Sequence, residues 1–203
     1  MSLEKIIYVA DPMCSWCWGF APEIKKLRAS LPKEITFSLI MGGLRNGHVW
    51  DNSFKNHLKE NWEKVAALTG QPFSQTLLEQ SAFNYTTEPA CTAVALTREI
   101  DEPLAFDVLF ALQNAFYAEG KDITQEDVIV ELLSGFDLKG FERSFKDKKS
   151  RELARQDRDR ARLYGAASFP ALILLDDQGH LSVIRGYRTY ETLTNMLVPA
   201  NQT

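Results

Sequence analysis

The sequence predicts an α/β fold in which a four-stranded mixed sheet with flanking helices is interrupted by an inserted helical segment. Strand patterns occur only near the two ends of the chain, and residues 51–149 show helical spacing with no convincing strand. A sheet of two strands is at best marginally stable, so both ends must contribute to one sheet. We therefore expect residues 1–45 and 150–203 to form one α/β domain and residues 46–149 to form an inserted helical domain.

The first part of the chain has the pattern of a β-α-β unit. Residues 4–10 are apolar and rich in β-branched side chains, which predicts a buried strand. Residues 15–31 carry apolar side chains at helical spacing, with Pro22 expected to kink the helix. Residues 35–41 predict a second strand, which the pair Gly42-Gly43 ends. Two cysteines lie where the first strand meets the first helix.

The remaining elements follow from the same periodicities. Thr124 with Asp127 resembles a capping box, and Thr189 is suited to cap the last helix. The predicted helices cover residues 54–68, 90–100, 104–117, 128–133, 151–164 and 190–197, and a hairpin of two strands covers 171–175 and 181–187.

Composition and charge exclude several classes of protein. The 203 residues include 23 basic and 27 acidic side chains, and the net charge of −4 excludes a generally basic nucleic-acid binder. No apolar run approaches the roughly 18 residues that a membrane span requires. The apolar start of the chain ends at Asp11 and is too short for a signal peptide. We expect a cytoplasmic protein with no nucleic-acid or membrane partner.

The motif Cys14-Ser15-Trp16-Cys17 is the feature most directly tied to chemistry. Cysteines three apart at a helix start can form a disulfide, and the N–H groups of the helix N-terminus stabilise a thiolate at the first of them. We therefore expect a lowered pKa at Cys14, the nucleophile, and greater burial of Cys17, the resolving thiol. Trp16 and Trp18 are expected to surround the sulfurs with apolar surface.

Two other interpretations of this pair are half of a zinc site and two inert core cysteines. A structural zinc site usually takes four ligands. Cys91 stands alone, and the three histidines are scattered along the chain, at His48, His57 and His180. No metal site is therefore expected. The strand-then-helix context favours a redox pair over inert cysteines.

The segment Ser168-Phe169-Pro170 directly precedes the predicted strand 171–175. A proline is permitted at the first residue of a strand because its missing N–H costs no ladder hydrogen bond there. Most X–Pro bonds are trans, so this position alone predicts no cis bond.

Together these features resemble the thioredoxin superfamily, in its DsbA-like branch with a helical insertion. Within that branch they resemble the FrnE-like group of predicted protein-disulfide isomerases. The matching segments span nearly the whole chain and are Asp11 to Gly19, Gly42-Gly43-Leu44, Glu88-Pro89-Ala90, and Tyr164-Gly165 through Ser168-Phe169-Pro170-Ala171. The two cysteines and the late proline are typical of the superfamily, and the other segments suggest the subfamily.

The resemblance implies a thioredoxin fold and a set of site residues. In the superfamily the proline before the third strand is cis and packs against the cysteine pair, a role that falls here on Pro170. The residue before it, Phe169, is expected to offer backbone groups to an extended substrate. Pro22 matches the helix-kinking proline, and the helical segment is expected to wall the groove. The expected groove residues are Ser15, Trp16, Trp18, Ser168 and Phe169.

Two positions depart from the family pattern. The superfamily often has a buried acid on the first strand, six residues before the nucleophile, where this chain has Tyr8; Asp11 is nearer in sequence. Strongly oxidising relatives often carry a histidine between the cysteines, where this chain has Ser15-Trp16. We therefore expect a weaker oxidant than those relatives.

Cys91 and the basic run of residues 143–162 each allow two interpretations. A free cysteine is usually a small buried hydrophobe, so we expect Cys91 to be buried, reduced and inert; a regulatory or second redox thiol is the alternative. The basic run is interspersed with acids, which is typical of a solvated, salt-bridged helix face. A patch that faces glutathione or another anionic ligand is the alternative.

The sequence thus predicts a thiol-disulfide oxidoreductase or isomerase that acts on protein or peptide thiols and disulfides through Cys14 and Cys17. No cofactor is expected, and glutathione is a further candidate partner. In a reducing compartment, reduction or isomerisation is favoured over net oxidation. One alternative is a glutathione-dependent isomerase or transferase of the kappa-class or 2-hydroxychromene-2-carboxylate isomerase type, which usually has Ser at the nucleophile position. The other is a peptide-binding chaperone without redox turnover.

Overall fold

The computed structural model describes residues 2–43, 47 and 49–197. Its elements in chain order are β1 (Leu3–Ala10), α1 (Ser15–Ser30), β2 (Thr36–Met41), α2 (Asn52–Thr69), α3 (Glu88–Ile100), α4 (Leu104–Tyr117), α5 (Glu126–Leu133), α6 (Phe141–Phe145), α7 (Ser150–Leu163), β3 (Ala171–Asp176), β4 (Leu181–Arg185) and α8 (Tyr190–Leu197). Among these helices, none combines the length and apolar character that a membrane crossing needs.

The four strands form one sheet in the order β2-β1-β3-β4. β2 runs parallel to β1, while β3 is antiparallel to both β1 and β4. Both ends of the chain therefore build one mixed sheet, and helices α2 to α6 come between its two halves. The predicted fold class is confirmed.

The division into two domains stays a prediction, because its first boundary lies outside the described residues. Leu44 of the family-like segment and His48 also lie outside them. In the described part, one apolar core runs from the sheet into the inserted helices and joins Tyr8 of β1 to Trp62 of α2 and Leu109 of α4. The inserted helices therefore pack directly onto the sheet half of the protein.

Strand β1 has both of its faces buried. Ile6, Tyr8 and Ala10 face the large core, whereas Ile7 and Val9 face a smaller core beneath α7. Successive side chains of a strand point to opposite faces, so burial on both sides requires an unbroken apolar run. This requirement explains the composition of residues 6–10.

The outer edge of β2 is covered. Arg98 of α3 donates from Nη1 to the Leu39 carbonyl at 2.9 Å, and the Asp157 carboxylate of α7 accepts the Met41 N–H at 3.0 Å. The same Arg98 nitrogen lies 2.6 Å from Asp157 Oδ2. Burial alone would lower the pKa of Arg98, but Asp157 raises it above its ordinary value. This ion pair ties α3 and α7 to the sheet and closes an edge that another strand could pair with.

The elements differ from the sequence expectations at three places. Helix α6 has only five residues, too few for a periodic pattern to reveal. The predicted capping box at α5 is wrong, because the N-cap is Gln125 and the Thr124 hydroxyl instead donates to Asp122 Oδ1 at 2.6 Å. Strand β4 ends at Arg185, since the next residue, Gly186, turns to a φ of 77° and donates its N–H to the Pro170 carbonyl.

Candidate active site

Cys14 and Cys17 lie at the junction of β1 and α1. Cys14 is the N-cap of the helix, with extended backbone angles of φ −94° and ψ 113°. Its N–H donates to the Asp11 carbonyl at 3.1 Å, and its carbonyl accepts the Trp18 N–H at 3.0 Å. The Cys14 sulfur therefore stands at the start of a helix of 16 residues, whose free N–H groups favour negative charge.

Both sulfurs are reduced and buried, to different degrees. Cys14 is 7% exposed and Cys17 is 0% exposed, and neither forms a disulfide. Burial, the neighbouring Cys14 and the negative charge of Asp11 raise the pKa of the Cys17 thiol well above its ordinary value, although a backbone N–H of Asp11 opposes the shift. Cys17 is therefore held as a neutral thiol.

The segment before β3 approaches this pair from the other half of the chain. The Phe169–Pro170 peptide bond is cis, and the Phe169 carbonyl oxygen lies 4.0 Å from Cys14 Sγ. The Phe169 ring lies directly on Gly42, where a Cβ atom would stand 2.1 Å from the nearest ring carbon. Any side chain at position 42 would displace this ring, so Gly42 sets the position of the carbonyl that faces Cys14.

Asp11 is fully buried beside the two cysteines. Its Oδ1 accepts the Met13 N–H at 2.8 Å, which shapes the turn that leads from β1 into α1. Its Oδ2 accepts a hydrogen bond from the Cys91 thiol at 3.4 Å. A carboxylate at this place could be suspected from the sequence, because Asp11 directly follows the first predicted strand.

Cys91 of α3 is buried, as the sequence predicts, with 1% of its surface exposed. Burial, followed by the charge of Asp11, raises the pKa of its thiol well above the ordinary value. Its inertness stays a prediction. Sequence reasoning did not foresee its contact with Asp11, because the two residues are 80 positions apart.

Two tyrosines complete the polar surroundings of the pair. Tyr8 occupies the β1 position where relatives often have an acid; burial and the two nearby thiols, Cys17 first, raise the pKa of its hydroxyl. Tyr85, from the segment before α3, donates its hydroxyl to the Met13 carbonyl at 2.8 Å. The inserted segment therefore holds the same turn that carries Cys14.

The expected groove residues lie in different environments. Ser15 and Trp16 are half-buried, and the Trp16 ring packs against Tyr187 with the centroids 6.4 Å apart. Trp18 is instead buried, donates its indole N–H to the Pro72 carbonyl at 3.0 Å and stacks on Tyr117. The other two lie before β3: Ser168 is exposed, and Phe169 is half-buried with its ring turned onto the protein.

No group of three or more His, Cys, Asp or Glu side chains within the described ranges is arranged to hold a metal ion.

A family model described as thioredoxin matches residues 7–195, which is nearly the whole chain. The chain belongs to the thioredoxin family. A solved structure from Nitrosomonas europaea, provisionally named a protein disulfide isomerase, has 30% sequence identity and a TM-score of 0.86, and the match covers 97% of this chain and 96% of that one.

A second solved structure is the cytosolic disulfide reductase DsbM from Pseudomonas aeruginosa, with 27% identity, a TM-score of 0.77, and coverage of 96% of this chain and 93% of that one. DsbM is also solved with glutathione. These neighbours put the chain among the DsbA-like members of the family.

The curated relatives carry a different name. The ClpXP adapter protein SpxH of Bacillus licheniformis is 26% identical over 199 residues. The match covers 95% of this chain but only 65% of that relative.

Proposed function

We propose that this protein exchanges disulfides with protein or peptide substrates through Cys14 and Cys17. The observation that carries the proposal is the pair of reduced, buried thiols at the start of α1, with the carbonyl that precedes the cis Pro170 placed 4.0 Å from Cys14 Sγ. Thiol-disulfide exchange needs an attacking thiol with access to substrate and a second thiol close enough to resolve the product. We assign the first role to Cys14, which is the more exposed of the two, and the second to the fully buried Cys17.

In the reductive direction, the Cys14 thiolate attacks one sulfur of the substrate disulfide. A mixed disulfide forms between Cys14 and the substrate, and the other substrate sulfur leaves as a thiolate. Cys17 then attacks the Cys14 sulfur, which forms the Cys14–Cys17 disulfide and releases the second substrate thiolate. Two electrons pass from the protein dithiol to the substrate, and the reverse steps oxidise a substrate dithiol.

Asp11 is the base that we propose for the second step. Cys17 must lose its proton before it can attack, and burial favours its neutral form. Asp11 is buried beside it and bears a carboxylate that can accept this proton. Members of the superfamily often use an acid on the first strand to take this proton, and this chain has Tyr8 at that position. In our proposal Asp11 takes the proton instead.

We further propose that the protein works as a reductase or isomerase in a reducing compartment, with glutathione as a candidate partner. The residues between the cysteines include no histidine that would favour the thiolate and make the protein a strong oxidant. The likeness to DsbM, which is named a cytosolic reductase and is solved with glutathione, supports the same direction.

A protein-binding adapter is a second candidate function, because the curated relatives are named ClpXP adapters. An adapter binds through surface contacts and needs no reactive thiol. The two functions therefore differ in their dependence on Cys14.

The test is reduction of insulin disulfides with dithiothreitol as the electron donor, in wild type, Cys14→Ser and Cys91→Ser. We expect catalysis by wild type and Cys91→Ser and none by Cys14→Ser. A wild type that accelerates insulin reduction no more than Cys14→Ser does would refute the proposal. Binding of a protein client that is equal in wild type and Cys14→Ser would then favour the adapter function.

A further inference from the structure

The side chain of Arg158, on α7, lies over Gly43, just after the end of β2. A Cβ atom on Gly43 would stand 3.3 Å from Arg158 Cδ, 3.7 Å from its Cβ and 3.8 Å from its Cγ, so the aliphatic stem of Arg158 covers this glycine. Gly43 has a φ of 65°, a backbone conformation that favours glycine. The backbone conformation just after β2 therefore allows the stem of Arg158 to pack directly on Gly43.

The guanidinium of Arg158 has no acceptor among the described residues. Its Nε atom is buried and makes no hydrogen bond. Two other arginines on the same helix are paired: Arg151 lies 2.9 Å from Glu126, and Arg155 lies 3.2 Å from Glu88. Buried N–H donors nearly always have a partner in folded proteins, so an unpaired buried guanidinium nitrogen indicates an acceptor that the described residues do not supply.

A short series of contacts joins Arg158 to the sulfur of Cys14. Gly43, beneath the Arg158 stem, follows Gly42, and Gly42 carries the ring of Phe169. The carbonyl of Phe169 lies 4.0 Å from Cys14 Sγ. The stem of Arg158 is therefore linked through Gly43, Gly42 and Phe169 to the carbonyl that faces Cys14.

We propose that Arg158 binds a carboxylate of the disulfide substrate. Arginine presents a planar fork of N–H donors that fits a carboxylate with two parallel hydrogen bonds. The preferred substrate class is then a disulfide with a carboxylate a few bonds from the reacting sulfur, as in a glutathione disulfide or an acidic peptide disulfide. This inference rests on the proposed function, since it names the substrate class of the same site.

The test is a single turnover in which the protein's own dithiol is the reductant. The fluorescence of the tryptophans near the pair reports the reaction. The prereduced protein meets 3,3′-dithiodipropionate, which is anionic, or 2-hydroxyethyl disulfide, which is neutral. Each rate constant is divided by that of dithiothreitol with the same disulfide, which removes intrinsic reactivity. The variants are Arg158→Gln and Arg158→Lys, with Arg160→Gln as the control, because Arg160 is exposed on the same helix and its loss changes the net charge equally.

We expect wild type to prefer the anionic disulfide by about tenfold, the size of one charge-assisted hydrogen bond. Arg158→Gln should lose this preference while keeping its rate with the neutral disulfide, and Arg158→Lys should keep part of it. Arg160→Gln should keep all of it. Equal preferences in wild type and Arg158→Gln, or an equal loss in Arg160→Gln, would overturn the inference.

The source of the carboxylate is tested with oxidised glutathione and with a short acidic peptide disulfide. If Arg158→Gln loses more of its rate with oxidised glutathione, the site is assigned to glutathione. If it loses more of its rate with the peptide disulfide, the site is assigned to a protein substrate. A wild type that reacts with no disulfide would instead refute the proposed function, which separates the two failures.

Discussion

Two carboxylates among the described residues are almost fully buried, Asp11 at 0% and Asp157 at 1% exposure, and they lie in contrasting surroundings. Asp157 contacts the guanidinium of Arg98 at 2.6 Å and a backbone N–H of β2. The oxygens of Asp11 accept from a backbone N–H and from the thiol of Cys91. One acid closes the edge of the sheet, and the other lies among the thiols where the sheet meets α1.

The comparison of Asp157 with Asp11 shows that a buried carboxylate can have a structural or a chemical role. A buried carboxylate that contacts an arginine joins the elements on which the two residues lie, and removal of either partner leaves the other buried without its counter-charge. A buried carboxylate beside thiols has neighbours that can exchange protons with it. Burial alone therefore does not separate a structural acid from a chemical one; the partner does.

The largest effect is expected from Asp157→Ala. This change leaves Arg98 without its buried partner and should lower the free energy of unfolding by about 3–5 kcal/mol. Urea denaturation measures this loss, and turnover at a temperature where the variant is folded should stay within about twofold of wild type. A double variant, Arg98→Met with Asp157→Leu, is the control and should recover part of the stability. An equal loss in single and double variants would speak against the ion pair as the cause.

Asp11→Asn should act on chemistry rather than on stability. The amide can still accept the Met13 N–H, but it cannot take the proton of Cys17. We expect the resolution step to slow by about a hundredfold at pH 7. Burial is the largest cause of the raised pKa of Cys17 and stays in the variant, so the rate of the variant should approach that of wild type only as the pH rises towards that raised pKa. Stopped-flow rates of mixed-disulfide resolution against pH measure this; a slowing that is the same at every pH would assign Asp11 a purely structural role.

Cys91→Ala sharpens the comparison by removing the thiol that contacts Asp11. The loss of one buried sulfur should cost about 1 kcal/mol of stability, with insulin reduction intact. Thermal or urea unfolding and the insulin assay measure the two effects. A mixed disulfide trapped on Cys91 in a Cys17→Ser background would instead show that Cys91 takes part in exchange.

The last effect concerns the pH dependence of stability. Cys17 and Cys91 both have raised pKa values, so the folded protein keeps protons that the unfolded chain loses above a pH of about 8.5. Stability is therefore fully present below that pH and declines as pH rises towards the folded pKa values, by up to about 1.4 kcal/mol per pH unit for each thiol. Urea denaturation between about pH 7.5 and 9.5 measures this slope. Oxidation of the Cys14–Cys17 pair should remove the contribution of Cys17 to this slope, and Cys91→Ala should remove that of Cys91. If neither change alters the slope of stability against pH, the two thiols are not its cause.

Local signals in the sequence predicted most of the fold. The apolar run of β1, the helical spacing after Ser15 and the hairpin of β3 and β4 depend on neighbouring residues, and the structure has all three. The motif with Cys14 and Cys17 is equally local.

Long-range contacts gave no such signal. Arg98 and Asp157 are 59 positions apart, and each belongs to an ordinary amphipathic or charged helix in the sequence. The contact of Cys91 with Asp11 likewise depends on how the inserted helices pack on the sheet. Periodicity records which face of a helix is apolar, but it does not record which residue of another element that face meets.

The orientation of Phe169 has a consequence for the range of clients. Its ring is turned onto Gly42, and its backbone carbonyl faces Cys14 Sγ, the sulfur that we propose as the nucleophile. Every peptide has the same main chain, so a carbonyl at this place would engage clients without regard to their side chains. Selectivity among substrates must then come from the residues around this carbonyl. The carbonyl itself can pair with the main chain of any peptide.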